Sequence, residues 1–214
     1  MRAITRIVGC LVVLSPMRAA AQVVVELGPS LGYYRPYGRF DSASVYSTAL
    51  PNTPQNLKGG TWGGGARSWI GKRLGIEITA LAAHSTIPQV FTPAGPNGPT
   101  SATVTTVTAQ GLVTLIGTPA RQQVWVSAGL GAIRHGGDSY ARYGAPWDLS
   151  PAFGAGAGIR LMPHFRATFA LTTLVYTFDL PMPPELRLNP GSLEHGHQVD
   201  VLTHVGLVWI PGAR

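Results

Sequence analysis

The stretch GGTWGGGARSWIGKRLGIEITALAA, from Gly59 to Ala83, decides how this chain is read. Its glycines, the pair Gly71-Lys72 and the apolar run behind them suggest at first a phosphate-cradling loop that opens onto a helix. Such a loop requires G-x-x-x-x-G-K-[ST], with backbone amides around the phosphates and a hydroxyl for magnesium. Here Ala66 stands where the first glycine should be, and Lys72 is followed by Arg73. The hydroxyl is missing, and the residues beyond show no helical period. They have period two instead: Leu74, Ile76, Ile78, Ala80 and Ala82 on one face, Gly75, Glu77, Thr79, Leu81 and Ala83 on the other. The stretch therefore reads as two strands, Gly60–Ile70 and Leu74–Ala83, joined by a tight turn at Gly71-Lys72-Arg73. A turn centred on Lys72 sets Arg67 opposite Glu77, a cross-strand pair of opposite charge.

The same alternation recurs along the chain. Val23 to Tyr34 sets Val23, Val25, Leu27, Leu31 and Tyr33 against Glu26, Gly28, Ser30, Gly32 and Tyr34. Gln123 to Arg134 sets Val124, Val126, Ala128, Leu130 and Ala132 against Gln123, Trp125, Ser127, Gly129 and Gly131. Phe153 to Leu161 alternates apolar residues with Gly154, Gly156, Gly158 and Arg160. Arg166 to Phe178 and Val199 to Trp209 repeat the pattern, the latter with Asp200, Leu202, His204 and Gly206 on its second face. Gly60–Ile70 and Ser101–Ile116 are strand-like in composition but alternate less cleanly, so their faces are left open. That makes eight strands and no helix. Glycine at every second position disfavours a helix.

The connections run long, short, long, short, long, short, long. The long ones, such as FTPAGPNGPT and DLPMPPELRLNPGS, are rich in Pro, Gly and Asn. An up-and-down meander with this rhythm carries all its long loops at one end. Eight such strands close into a barrel without an exposed edge.

Composition points to an unusual surface. Of 214 residues only 12% are charged, while 45% are hydrophobic. Soluble domains carry about a quarter charged residues. Residues 1–21 read as a cleaved secretory leader: Arg2 and Arg6, an apolar run from Ile7 to Leu14, then Ala19-Ala20-Ala21 before Gln22. The remainder, 22–214, is expected to be one barrel domain. Without Arg2, Arg6 and Arg18, thirteen basic and nine acidic residues remain, a net charge of +4. These are dispersed and lack an aromatic-basic cluster, so no nucleic-acid partner is expected. The one cysteine, Cys10, lies in the leader, which leaves no disulfide or thiol chemistry.

Together, the leader, the eight alternating strands, the short turns and the long loops resemble the small outer-membrane β-barrel proteins of the OmpA/OmpX-like family. The resemblance rests on architecture and covers nearly all of residues 22–214. It implies an all-β, eight-stranded antiparallel transmembrane barrel in a bacterial outer membrane, with the apolar face toward lipid and the long loops outside the cell. It also implies outer-membrane lipids as surroundings, a monomer and no cofactor. Family barrels usually end on an aromatic residue; here Trp209 is followed by Ile210-Pro211-Gly212-Ala213-Arg214.

On this reading Glu26, Arg67, Glu77, Arg160, Asp200 and His204 share the inward face and form a polar network that fills the barrel, since buried charges must be paired. Tyr33, Trp62, Phe153 and Trp209 fall at or near strand ends, as an interfacial girdle or as core aromatics. Three groups carry possible chemistry. His84-Ser85, the trio His135, Asp138 and Ser139, and the run Glu194-His195-Gly196-His197 could serve a lipid hydrolase or acyltransferase, and the last could hold a metal. Rim histidines are the default, so no catalytic or metal residue is assigned. Arg35, Arg39, Arg142 and Arg187 could meet lipopolysaccharide phosphates at the loops. The alternative class is a soluble lipocalin-type barrel that binds a small apolar ligand, in which the two faces are exchanged.

Overall fold

The computed structural model describes residues 23–38, 58–87, 90–92, 95–97, 100–119, 121–138, 147–178 and 196–211. The leader, Arg39, Ser139, Arg142, Arg187, Glu194 and His195 lie outside these residues. The described residues form ten strands: β1 (Val23–Gly38), β2 (Gly59–Ile70), β3 (Leu74–Ile87), β4 (Val90–Thr92), β5 (Gly95–Asn97), β6 (Thr100–Gly117), β7 (Gln122–Gly136), β8 (Trp147–Met162), β9 (Phe165–Phe178) and β10 (Gly196–Trp209). β4 and β5 form a small separate hairpin. The other eight form one closed antiparallel meander in which β1 pairs with both β2 and β10. The wall thus closes on itself without a free edge, as a lipid-embedded sheet requires.

The tight turn between β2 and β3 is Gly71-Lys72-Arg73, with Gly71 at φ 68°. Only glycine adopts that backbone without strain. The resulting register pairs Arg67 with Glu77 and Ile70 with Leu74.

The wall has an apolar outside and a polar inside. Leu31, Leu74, Ile76, Phe169 and Leu207 are half or more exposed, whereas Glu26, Arg166 and Asp200 are at most 1% exposed. A lipocalin-type barrel has the reverse arrangement. The two weakly alternating strands also resolve. In β2, Thr61, Arg67 and Trp69 point inward and Trp62 and Ile70 outward. Tryptophan and glycine occupy both faces, which blurred the pattern. In β6, Val104, Thr106, Thr108, Gln110, Leu112 and Thr114 point inward. A bulge between Thr114 and Ile116 then breaks the period, leaving Leu115 and Ile116 both exposed.

Most strands run further toward the long loops than the alternation predicted. β1 continues past Tyr34 to Gly38, β3 past Ala83 to Ile87, and β8 begins at Trp147 rather than Phe153. Arg35, His84 and Arg134 face outward at this end, so the ladder goes on after its apolar face has ended. Phe153 consequently sits within the wall, opposite Ala128, and not at a strand end. Trp147, exposed and paired with Arg134, takes the rim position instead. Tyr33 and Trp62 face outward in the loop-end half of the wall, and Trp209, paired with Phe165, faces outward at the turn end.

Candidate functional site

The interior of the barrel holds two polar groups, one above the other. Nearer the short turns is an ionic cluster. Glu26 of β1 ion-pairs with Arg166 of β9 and lies 3.4 Å from Arg67 of β2. Arg67 reaches Glu77 of β3 at 2.5 Å. Two carboxylates thus meet two guanidiniums, and the formal charges cancel. Below them Trp69, Leu112, Trp125 and Ala170 pack together. The Arg67 guanidinium stands 4.2 Å from the Trp125 ring centroid, a cation–π contact, and Trp69 meets Trp125 edge-on. Gly156 makes room for this stack: a Cβ there would lie 2.3 Å from the Trp125 ring.

Nearer the long loops, Asp200 is fully buried. It accepts hydrogen bonds from Tyr34 Oη at 2.9 Å, Tyr176 Oη at 2.8 Å and Gln198 Nε2 at 2.8 Å. Tyr176 Oη also lies 3.3 Å from His135 Nε2. An apolar cluster that includes Leu81, Val104, Ile133, Leu174 and Leu202 fills the space around them. Between the two layers, a cavity of about 20 Å³ is bordered by Glu26, Arg67, Glu77, Thr79 and His204. That is room for about one water, not for a ligand.

The six residues expected on the inward face therefore divide. Glu26, Arg67 and Glu77 meet directly, and His204 borders the same cavity. Asp200 belongs to the upper layer. Arg160 lies lower, partly exposed at the β8–β9 turn, where its guanidinium donates to the carbonyls of Met162 and Pro163. It stands directly opposite the inward Arg166, and the strand bulges just beyond it, between Arg160 and Met162. Arg166 supplies the second guanidinium of the ionic cluster. Period two from Thr168 and Ala170 places it inward, so the signal was present in the sequence. Tyr34, Tyr176 and Gln198 were missed as partners of Asp200 because hydroxyl and amide pairing across the lumen leaves no trace in spacing.

Of the three groups considered for catalysis, Glu194-His195-Gly196-His197 and Ser139 fall outside the described side chains, and the described members of the other two stand apart. His84 faces outward and stacks on Trp62 at 6.3 Å. His135 is buried in the lumen, while Asp138 is exposed and bonded to Ser101. Among the described residues, no group of three or more His, Cys, Asp or Glu side chains could hold a metal ion.

No family model matches the chain, and no curated protein does. Solved structures do. OprG of Pseudomonas aeruginosa, an outer membrane protein, superposes with a TM-score of 0.51 at 12% identity, covering 89% of this chain and 96% of that one. The fold is that of a small outer-membrane barrel. Neisserial surface protein A gives 0.49 at 10% identity over 86% of this chain and 96% of its own. The attachment invasion locus protein Ail of Yersinia pestis gives 0.46 at 13% identity over 86% and 97%. So low an identity leaves the lumen to be read from this chain alone.

The upper layer makes one measurable contribution. Tyr176→Phe removes a donor to Asp200 and strips His135 of that contact. It is expected to lower the stability of the refolded barrel by about 1–3 kcal/mol, read from its urea unfolding midpoint.

Proposed function

We propose that the chain is a bacterial outer-membrane barrel with a closed interior and a structural or surface-interaction role, not an enzyme. The observation that carries this reading is the inverted polarity of the wall. Exposed leucines, isoleucines and phenylalanines cover the outside, while the paired charges lie within. Such a surface is stable only against lipid. Two filled layers in an eight-stranded lumen leave no open channel. Function then falls to the long loops, which the rigid barrel presents to the exterior. The exposed Arg35 at the loop end of β1, seated over Tyr37, suits a lipopolysaccharide phosphate. The filled lumen argues against a soluble binding barrel, and the separation of the described His84 and His135 argues against acyl transfer through either.

The test is electrophoretic and electrical. Protein extracted from the membrane fraction in detergent is expected to migrate differently before and after boiling. In planar bilayers the folded protein is expected to give no steady single-channel current. A soluble protein without a heat-dependent shift would sink the membrane reading, and a stable conductance would sink the closed lumen.

A further inference from the structure

A depression of about 500 Å³ lies on the outside of the wall, across β3, β6 and β7 and reaching Ile70 at the end of β2. Its lining includes Leu74, Ile76, Gly111, Val113, Val126 and Ala128. The register explains the hollow. Gly111 pairs with Ile76 on one side and Ala128 on the other, so two small residues lie side by side between larger ones. Beyond Ala128 the same row continues to Phe153. Neither packing nor backbone geometry demands the glycine. Its φ is not positive, and an added Cβ would come no nearer than 3.8 Å to any atom. The hollow is thus a feature of the outer surface and not a by-product of a crowded lumen.

Three cations stand at the turn end of this depression. Lys72 and Arg73 occupy the β2–β3 turn and Arg121 precedes β7, and all three are exposed. The Arg73 carbonyl accepts from the Thr114 amide, which fixes the first turn beside β6. Among the described residues no acid accompanies them at this end: Glu26 and Glu77 are enclosed in the lumen. Ile76 is four residues along the strand from Lys72, about 13 Å at about 3.3 Å per residue. An apolar hollow therefore begins where a headgroup held by the cations would end.

We propose that this wall binds an acidic glycerophospholipid of the turn-side leaflet. One acyl chain lies over Gly111 and Ala128, and the phosphate is held by Lys72, Arg73 and Arg121. The inference rests on the membrane reading of the wall. Charge and shape act on different parts of the lipid, so they can be separated. The full chain is refolded into vesicles with equal amounts of phosphatidylglycerol and phosphatidylcholine bearing the same acyl chains. It is then released in mild detergent and analysed by native mass spectrometry for retained lipid. The wild type is expected to retain phosphatidylglycerol over phosphatidylcholine by about tenfold. The triple change Lys72→Gln, Arg73→Gln, Arg121→Gln should abolish that preference and leave equal retention of both lipids. Gly111→Leu, or Ala128→Leu if the first does not fold, should lose both. Equal retention of the two lipids by the wild type would overturn the proposal, and so would unchanged retention by a folded groove variant. Failure to insert into vesicles would overturn the membrane reading along with it. Insertion without lipid preference would overturn this inference alone.

Discussion

Replacing Glu26 with glutamine is expected to destabilise the folded barrel by about 3–5 kcal/mol, measured by urea unfolding from vesicles. Glutamine keeps the size of the side chain and removes only its charge. Glu26 bridges two guanidiniums, from Arg67 and Arg166, and its side chain is wholly buried. Arg67 retains Glu77 after the change. Arg166 retains no carboxylate among the described residues, and its Nε and Nη2 already lack hydrogen-bond partners. The cost is therefore that of an uncompensated cation in the lumen, beside a cavity with room for about one water. A second change should undo much of it. Glu26→Gln with Arg166→Met returns the cluster to neutrality, and neutral replacements of a buried pair are often tolerated. The double variant should recover at least half of the loss. If Glu26→Gln alone costs less than about 1 kcal/mol, solvent screens the cluster and the filled-lumen reading fails.

The sequence carried the fold far better than the site. Period-two alternation survives wherever one side of a strand meets an apolar medium and the other a polar lumen. The clean strands were therefore those that stay inside the apolar band. It failed where that contrast ends: at Arg35 and His84, whose strands continue into the loop-end extensions, and at the β6 bulge beside Thr114. The Arg67–Glu77 juxtaposition was legible because a tight turn fixes cross-strand register over a few residues. The Glu26–Arg166 pair joins residues 140 apart in the chain. Which inward cation reaches which inward carboxylate depends on lumen geometry, and no local rule supplies that. Alternation set Arg160 opposite Arg166, as the register has it, but the reach of its guanidinium to the turn carbonyls depends on the geometry of the strand end, which the pattern does not carry.

Introducing a charge on the outside of the wall separates a lipid-facing surface from a water-facing one most sharply. Phe169→Arg is expected to cost about 2–4 kcal/mol in bilayers, the penalty of a guanidinium near the midplane of an outer-membrane barrel. Phe169 is 51% exposed and faces away from the lumen, so arginine there displaces no interior neighbour. It pairs with Val205 on β10 and Ala157 on β8, both outward, and Val205 pairs in turn with Leu31. No acid lies in this row to receive the charge. Phe169 lies four positions along β9 from Phe165 at its turn end, too far for the side chain to reach the headgroups without distorting the local lipid. A control at the wall's edge makes the argument depth-dependent. Trp209→Arg, at the turn-end rim, should cost no more than about 1 kcal/mol of the same kind, beyond the loss of its own ring contacts. Were the outside of this barrel bathed in water, Phe169→Arg would be neutral or would improve solubility. That outcome, in a protein that still folds, would contradict the membrane assignment whatever the fold resembles.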